Sequence, residues 1–295
     1  MSLFAKMDTA TFYGEYHGHT VSDITRLRNG LLALNPQRNF VYLAGDSSLD
    51  NKYWLMNDDY QEAVNGYEKV LQPPIMLPDI SYHLNTLLVG SNYYAINTAI
   101  EESTIASREK GLLPQDQFIR NHITHNDILI VSLGGNDIAL SPSAATIFNA
   151  AKMVYLNSLG MIKKGPESAW GMSHFIEMFK DDVQKYILQL IGNVRPKKII
   201  VCMIYYPDQT MTGSWADRTL GLLGYNDDPT KLQEAIKQIF LRATCNINIP
   251  GSEVIPFPMY QVLNGTDTND YIARVEPSNK GGMKLAQAFT KIIMS

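Results

Sequence analysis

Cysteine is nearly missing from this chain: two in 295 residues, Cys202 and Cys245. Cys202 lies inside an apolar run, so a small buried hydrophobe is expected there, which argues against a disulfide-stapled scaffold. Long hydrophobic runs are missing too. None approaches the roughly 20 residues a membrane-spanning helix needs, so no transmembrane segment is expected. The opening Met1–Asp8 has no charged segment leading into an apolar core and cleavage site, so a cytoplasmic protein is expected. Positive charge is not in excess: 25 Lys and Arg face 29 Asp and Glu, a net charge of −4, and no nucleic-acid partner is expected. Histidine is scarce, at six. His122 and His125 have a spacing that suits a metal, but no third ligand accompanies them, so neither a metal nor another cofactor is expected.

What is present is enough apolar sequence, 45%, to build one sizeable core. Five short aliphatic runs recur at wide spacing: 40–44, 93–96, 128–133, 199–204 and 254–257. Continuous apolar runs of this length suit strands covered on both faces, as in a parallel sheet. Helical patterns separate them. Residues 173–191 place Phe175, Phe179, Val183, Tyr186, Ile187 and Leu190 on one face. Thr230 and Gln233 suggest a capping box behind Pro229, and a last helix is expected from near Ser278. Strands alternating with helices imply right-handed βαβ units and a three-layer α/β fold. One domain over 1–295 is expected, with 1–38 as an N-terminal extension carrying a helix around Val21–Leu34. Two long connections, 138–172 and 205–228, leave the carboxyl ends of strands, where open α/β sheets bind ligands. They read as pocket wall or as plain surface excursions.

Three polar turns close three successive strands. Gly45-Asp46-Ser47-Ser48-Leu49 follows the first, Asn97 to Thr104 the second, and Gly134-Gly135-Asn136-Asp137 the third. A serine at such a turn projects its hydroxyl at the carboxyl edge of the sheet, beside backbone N–H groups free to hold an oxyanion. Gly135 allows close backbone approach, and the Asn136 amide can donate to a developing negative charge. Taken alone, Gly-Asp-Ser is a common turn tripeptide.

Together these blocks resemble the GDSL, or SGNH, hydrolase family over roughly residues 39–290. Ser47 falls on its nucleophile and Asn136 on its oxyanion asparagine. The family's oxyanion glycine falls on Glu102, where a backbone N–H can still serve. The resemblance implies a flavodoxin-like five-stranded sheet, an α/β/α sandwich, and esterase or lipase-like acyl hydrolysis of a small-molecule ester without a metal. The last block departs from the family's Asp-x-x-His-Pro. Ala273 stands at the aspartate position and Glu276 at the histidine position, with Pro277, Gly281 and Gly282 in register.

A serine needs a base near neutral pH, and an exposed glutamate near 4.3 is weaker than histidine by about two units. Burial beside apolar groups would raise it and permit a Ser47–Glu276 dyad. Alternatively, Arg274 or Lys280 holds Glu276 as an ion pair, and the fold persists as a binding or scaffold module. A peptidase-like or acyltransferase activity would use the same serine. The hydrolase reading is the leading one, with Ser47, Glu102 and Asn136 as oxyanion donors and Asp46, Gly135 and Asp208 as candidate substrate contacts. His17 and His19 read as solvated, and Asp50 and Asn51 as caps. Asp270 is a stand-in for the missing aspartate or a turn residue, and Tyr53 and Trp54 are acyl-pocket or core.

Overall fold

The computed structural model describes residues 5–295. Five strands form the central sheet: β1 (Asn39–Gly45), β2 (Tyr93–Asn97), β3 (Ile128–Ser132), β4 (Lys198–Met203) and β5 (Glu253–Pro258). Their order is β2-β1-β3-β4-β5, all parallel, which is the flavodoxin-like arrangement. The expected five strands and three layers are therefore the observed ones. Alternate residues serve two cores. Tyr42 and Ala44 face one, under the helices Val21–Leu34, Pro114–His122, Val183–Ile191 and Thr230–Arg242. Val41 and Leu43 face the other, under Ile80–Leu87 and Asn279–Ile293. Both faces are covered, so both parities along each strand are apolar.

Several local expectations differ from what is observed. Residues 5–38 pack into the domain rather than standing off it: Met7–Asp8 pairs with Leu71–Gln72, and Val21–Leu34 buries Ile24, Leu27 and Leu31 completely. Ser47 leads into a turn and the short 3-10 helix Lys52–Leu55, not an α-helix. The capping box at Thr230 does not form; Thr230 bonds Asp228 while Gln233 turns to the Tyr225 hydroxyl. The 173–191 pattern runs as Met172–Glu177 and Val183–Ile191, joined by a π-helical stretch at Met178–Asp182. The last helix does start behind Ser278, whose side chain accepts from Gly281 N. Among the described residues no helix is long and apolar enough to cross a membrane.

Candidate active site

The order β2-β1-β3 places the switch point of the sheet between β1 and β3, where crossovers leave for opposite faces and a crevice opens. Gly45 ends β1 at φ +141°, and a Cβ there would lie 1.8 Å from the Ser132 carbonyl oxygen, so only glycine lets β1 and β3 run this close before the chain turns. Asp46 N donates to that oxygen, and Asp46 Oδ1 accepts from both Ser48 N and Ser48 Oγ. Burial pushes the Asp46 carboxyl up to about 6 against these hydrogen bonds. Asp46 therefore shapes the turn that carries Ser47 as well as lining the cavity.

Ser47 sits at the top of this turn and is 6% exposed. Ser47, Gly135, Asn136 and Glu276 line one cavity, with Asp46 and Ser48. Asn136 Nδ2 spends one hydrogen on Ser103 O at 3.0 Å, which fixes the amide and leaves its second hydrogen free. Neither Ser47 N–H nor Glu102 N–H donates to a backbone acceptor among the described residues. Glu102 adopts φ +61°, the left-handed conformation that glycine takes without cost. Its exposed side chain accepts from Tyr16 OH instead of entering the cavity, and Glu102 is not part of the cavity lining. Asp137 holds the neighbouring loop by accepting from Ile105 N and Ala106 N.

Glu276 arrives on a small hairpin. Tyr271–Ile272 pairs antiparallel with Glu276–Pro277, and the intervening turn puts Ala273 and Arg274 at φ +47° and +71°. Two consecutive left-handed residues close a tight hairpin of the type I′ kind, at about 1–2 kcal/mol each for residues with a Cβ. The surroundings hold it. Arg274, fully buried, donates to Asp217 Oδ1 and Asn226 Oδ1 at 2.8 Å and to Asp208 O at 3.0 Å. Tyr205 OH donates to Val275 O at 2.5 Å, and Asn51 bridges Pro277 O to Ile80 N. Asn51 and Asp50 are thus buried, not solvated caps; Asp50 pairs with the buried Lys52 at 2.8 Å.

The carboxyl on this hairpin is 5% exposed. Arg274 is committed to Asp217 and Lys280 to Asp267, so neither cation neutralises Glu276. Burial raises its pKa to about 8, Asp46 and Asp50 add to the rise, and the Ser47 hydroxyl beside it pulls the other way. Among the described residues no hydrogen bond of ordinary geometry joins Ser47 and Glu276, and Oε2 of Glu276 is left without a partner. Glu101 is the residue that sequence reasoning missed. It is 3% exposed, its Oε1 accepts from Trp54 Nε1 at 3.1 Å, and its Oε2 is also unpaired. Burial first, then the Glu276 charge, drives Glu101 far above the usual carboxylate range. Two buried carboxyls repelling one another cannot both ionise near neutral pH.

Other expected residues lie elsewhere. Asp208 is not part of the cavity lining; it accepts from Thr210 N and Thr268 Oγ1 and so staples the loop after β4. Asp270 is held by Lys284 at 2.6 Å. Trp54 supports Glu101 and Tyr53 packs on Tyr16; neither lines the cavity. His19 is buried and bonds Phe12 O, contrary to its expected solvation. No histidine lines the cavity, and among the described residues no cluster of three His, Cys, Asp or Glu is arranged for a metal.

The chain matches no protein-family model and no curated protein. Among solved structures, similar ones include a carbohydrate acetylesterase from Sinorhizobium meliloti, 12% identical, with a TM-score of 0.43 over 87% of this chain and 99% of that one. An acetylxylan esterase from Geobacillus stearothermophilus is 16% identical, with a TM-score of 0.46 over 86% and 94%. An aryl esterase from M. smegmatis is 13% identical, with a TM-score of 0.41 over 87% and 98%.

Proposed function

We propose that this chain is a serine ester hydrolase of the GDSL/SGNH kind that works without a histidine. Ser47 Oγ attacks the ester carbonyl while Glu276 takes its proton. The backbone N–H of Ser47 and the free hydrogen of Asn136 Nδ2 hold the oxyanion. Glu276 then returns the proton to the leaving alcohol, and water enters by the same route to free the acid. Glu101, kept neutral by burial, is the positioning partner that limits the pair to one negative charge.

One observation carries this reading: a serine, a carboxamide and a buried acid, remote in sequence, line a single cavity at the switch point of the sheet. A glutamate raised to about 8 is also a far stronger base than an exposed one. The test is turnover of short p-nitrophenyl esters by wild type, Ser47→Ala and Glu276→Gln across pH 6–9. Wild-type turnover should climb with a midpoint near pH 8 as Glu276 loses its proton, and both variants should fall to background. Equal rates in all three proteins would remove the enzyme claim. The unpaired Glu276 Oε2 favours a second reading, a binding module with a degenerate site. Labelling of Ser47 by a fluorophosphonate separates the two, because it requires an activated serine.

A further inference from the structure

The cavity that begins at Ser47 is far more apolar than hydrolysis of a small acetyl ester requires. Its polar lining groups, Asp46, Ser47, Ser48, Asn136 and Glu276, lie on turns, a short helix and a small hairpin. Beyond them it continues under Met153, Phe175, Phe179, Leu220, Ile236 and Ile239, without a charged group. Phe179 is held at the wall by the π-helical stretch and by Gly134, where a Cβ would come within 2.7 Å of its ring. The long connections 138–172 and 205–228 both contribute to this lining, and Tyr155 OH donates to Leu222 O to join them. Among the described residues they also carry nine of the sixteen exposed large hydrophobic side chains, including Phe148, Tyr155, Trp170, Trp215 and Leu222. Exposed apolar surface concentrated on the segments that wall a pocket marks a place where an apolar ligand approaches.

We propose that the acyl group accepted here is an unbranched aliphatic chain, lying from Ser47 into the apolar cavity beneath the two long connections. This rests on the hydrolase reading above and names its substrate class: fatty acyl esters rather than acetyl esters.

The experiment measures kcat/KM for p-nitrophenyl esters from acetyl to palmitoyl, together with binding of decanoate to Ser47→Ala by calorimetry. Each buried methylene contributes about 0.8 kcal/mol, so kcat/KM should rise about fourfold per carbon over acetyl until the chain fills the cavity, and then level off. Ala235→Phe, which fills the middle of the cavity, should cut the octanoyl-to-acetyl ratio at least 50-fold and weaken decanoate binding. Ala150→Phe, at a half-buried position, keeps the test open if Ala235→Phe does not fold. A profile that is flat or maximal at acetyl, with no decanoate bound, overturns the proposal. Decanoate binding that Ala235→Phe removes, without turnover of any ester, upholds the aliphatic ligand and overturns the hydrolase reading alone.

Discussion

Replacing Glu276 by glutamine should stabilise the protein, increasingly so as pH rises. Burial moves this carboxyl from 4.5 to about 8 in the folded state, whereas the unfolded chain returns it to the ordinary range near 4.3. Between those values the folded protein binds a proton that the unfolded chain has lost, so stability falls as pH rises. The loss is about 1.4 kcal/mol per pH unit, absent below pH 4.5 and worth a few kcal/mol by pH 8. Glutamine does not titrate, so Glu276→Gln escapes it. Urea melts at pH 4.5, 6 and 8 should therefore show near-equal proteins at the acid end and a gap of about 3 kcal/mol or more at pH 8, in favour of the variant. Glu101→Gln should behave in the same direction, because burial and the Glu276 charge raise Glu101 as well. A gap independent of pH, or a variant less stable than wild type at pH 8, would refute the claim that Glu276 is held uncharged by its surroundings.

Two further outcomes follow from the same geometry. Glu276→His should raise ester turnover at pH 7 on the order of tenfold: an acid at about 8 is only about one-tenth ionised there, an imidazole near 6.5 is mostly neutral, and the unpaired Glu101 carboxyl is available to orient it. A folded variant with no gain would show that the base does not limit the reaction. Arg274→Ala should lower the urea midpoint measurably, because it removes the buried guanidinium's hydrogen bonds to Asp217, Asn226 and Asp208 O and releases a turn held in left-handed backbone; an unchanged midpoint would mean the hairpin holds itself.

The sheet was legible because β1 to β4 are buried on both faces, which leaves an uninterrupted aliphatic run in each; β5, at the edge, is only half-buried but keeps Val254, Ile255 and Phe257. The start of the last helix, at Ser278, was legible for a local reason: the cap and its partner Gly281 lie three residues apart. Ser47 and Asn136 announced themselves through glycines that the backbone path requires. Glu101 gave no such signal. Its burial depends on Trp54 and on Glu276, which lies in a distant hairpin, and only its place directly before Glu102 hinted at a second acid. Asp208 misled for the complementary reason. It does follow a strand end, but Thr210 and Thr268 fold back on it and withdraw it from the cavity.

Arg274 reaches from the turn preceding Glu276 to Asp217 and Asn226, and the segment holding those two residues also supplies Leu220 and Leu223 to the apolar chamber. The wall of the chamber and the hairpin that carries Glu276 are therefore one mechanical unit. Under the proposed mechanism, widening the chamber would also shift the Glu276 carboxyl relative to Ser47, so tail selectivity and proton transfer would change together.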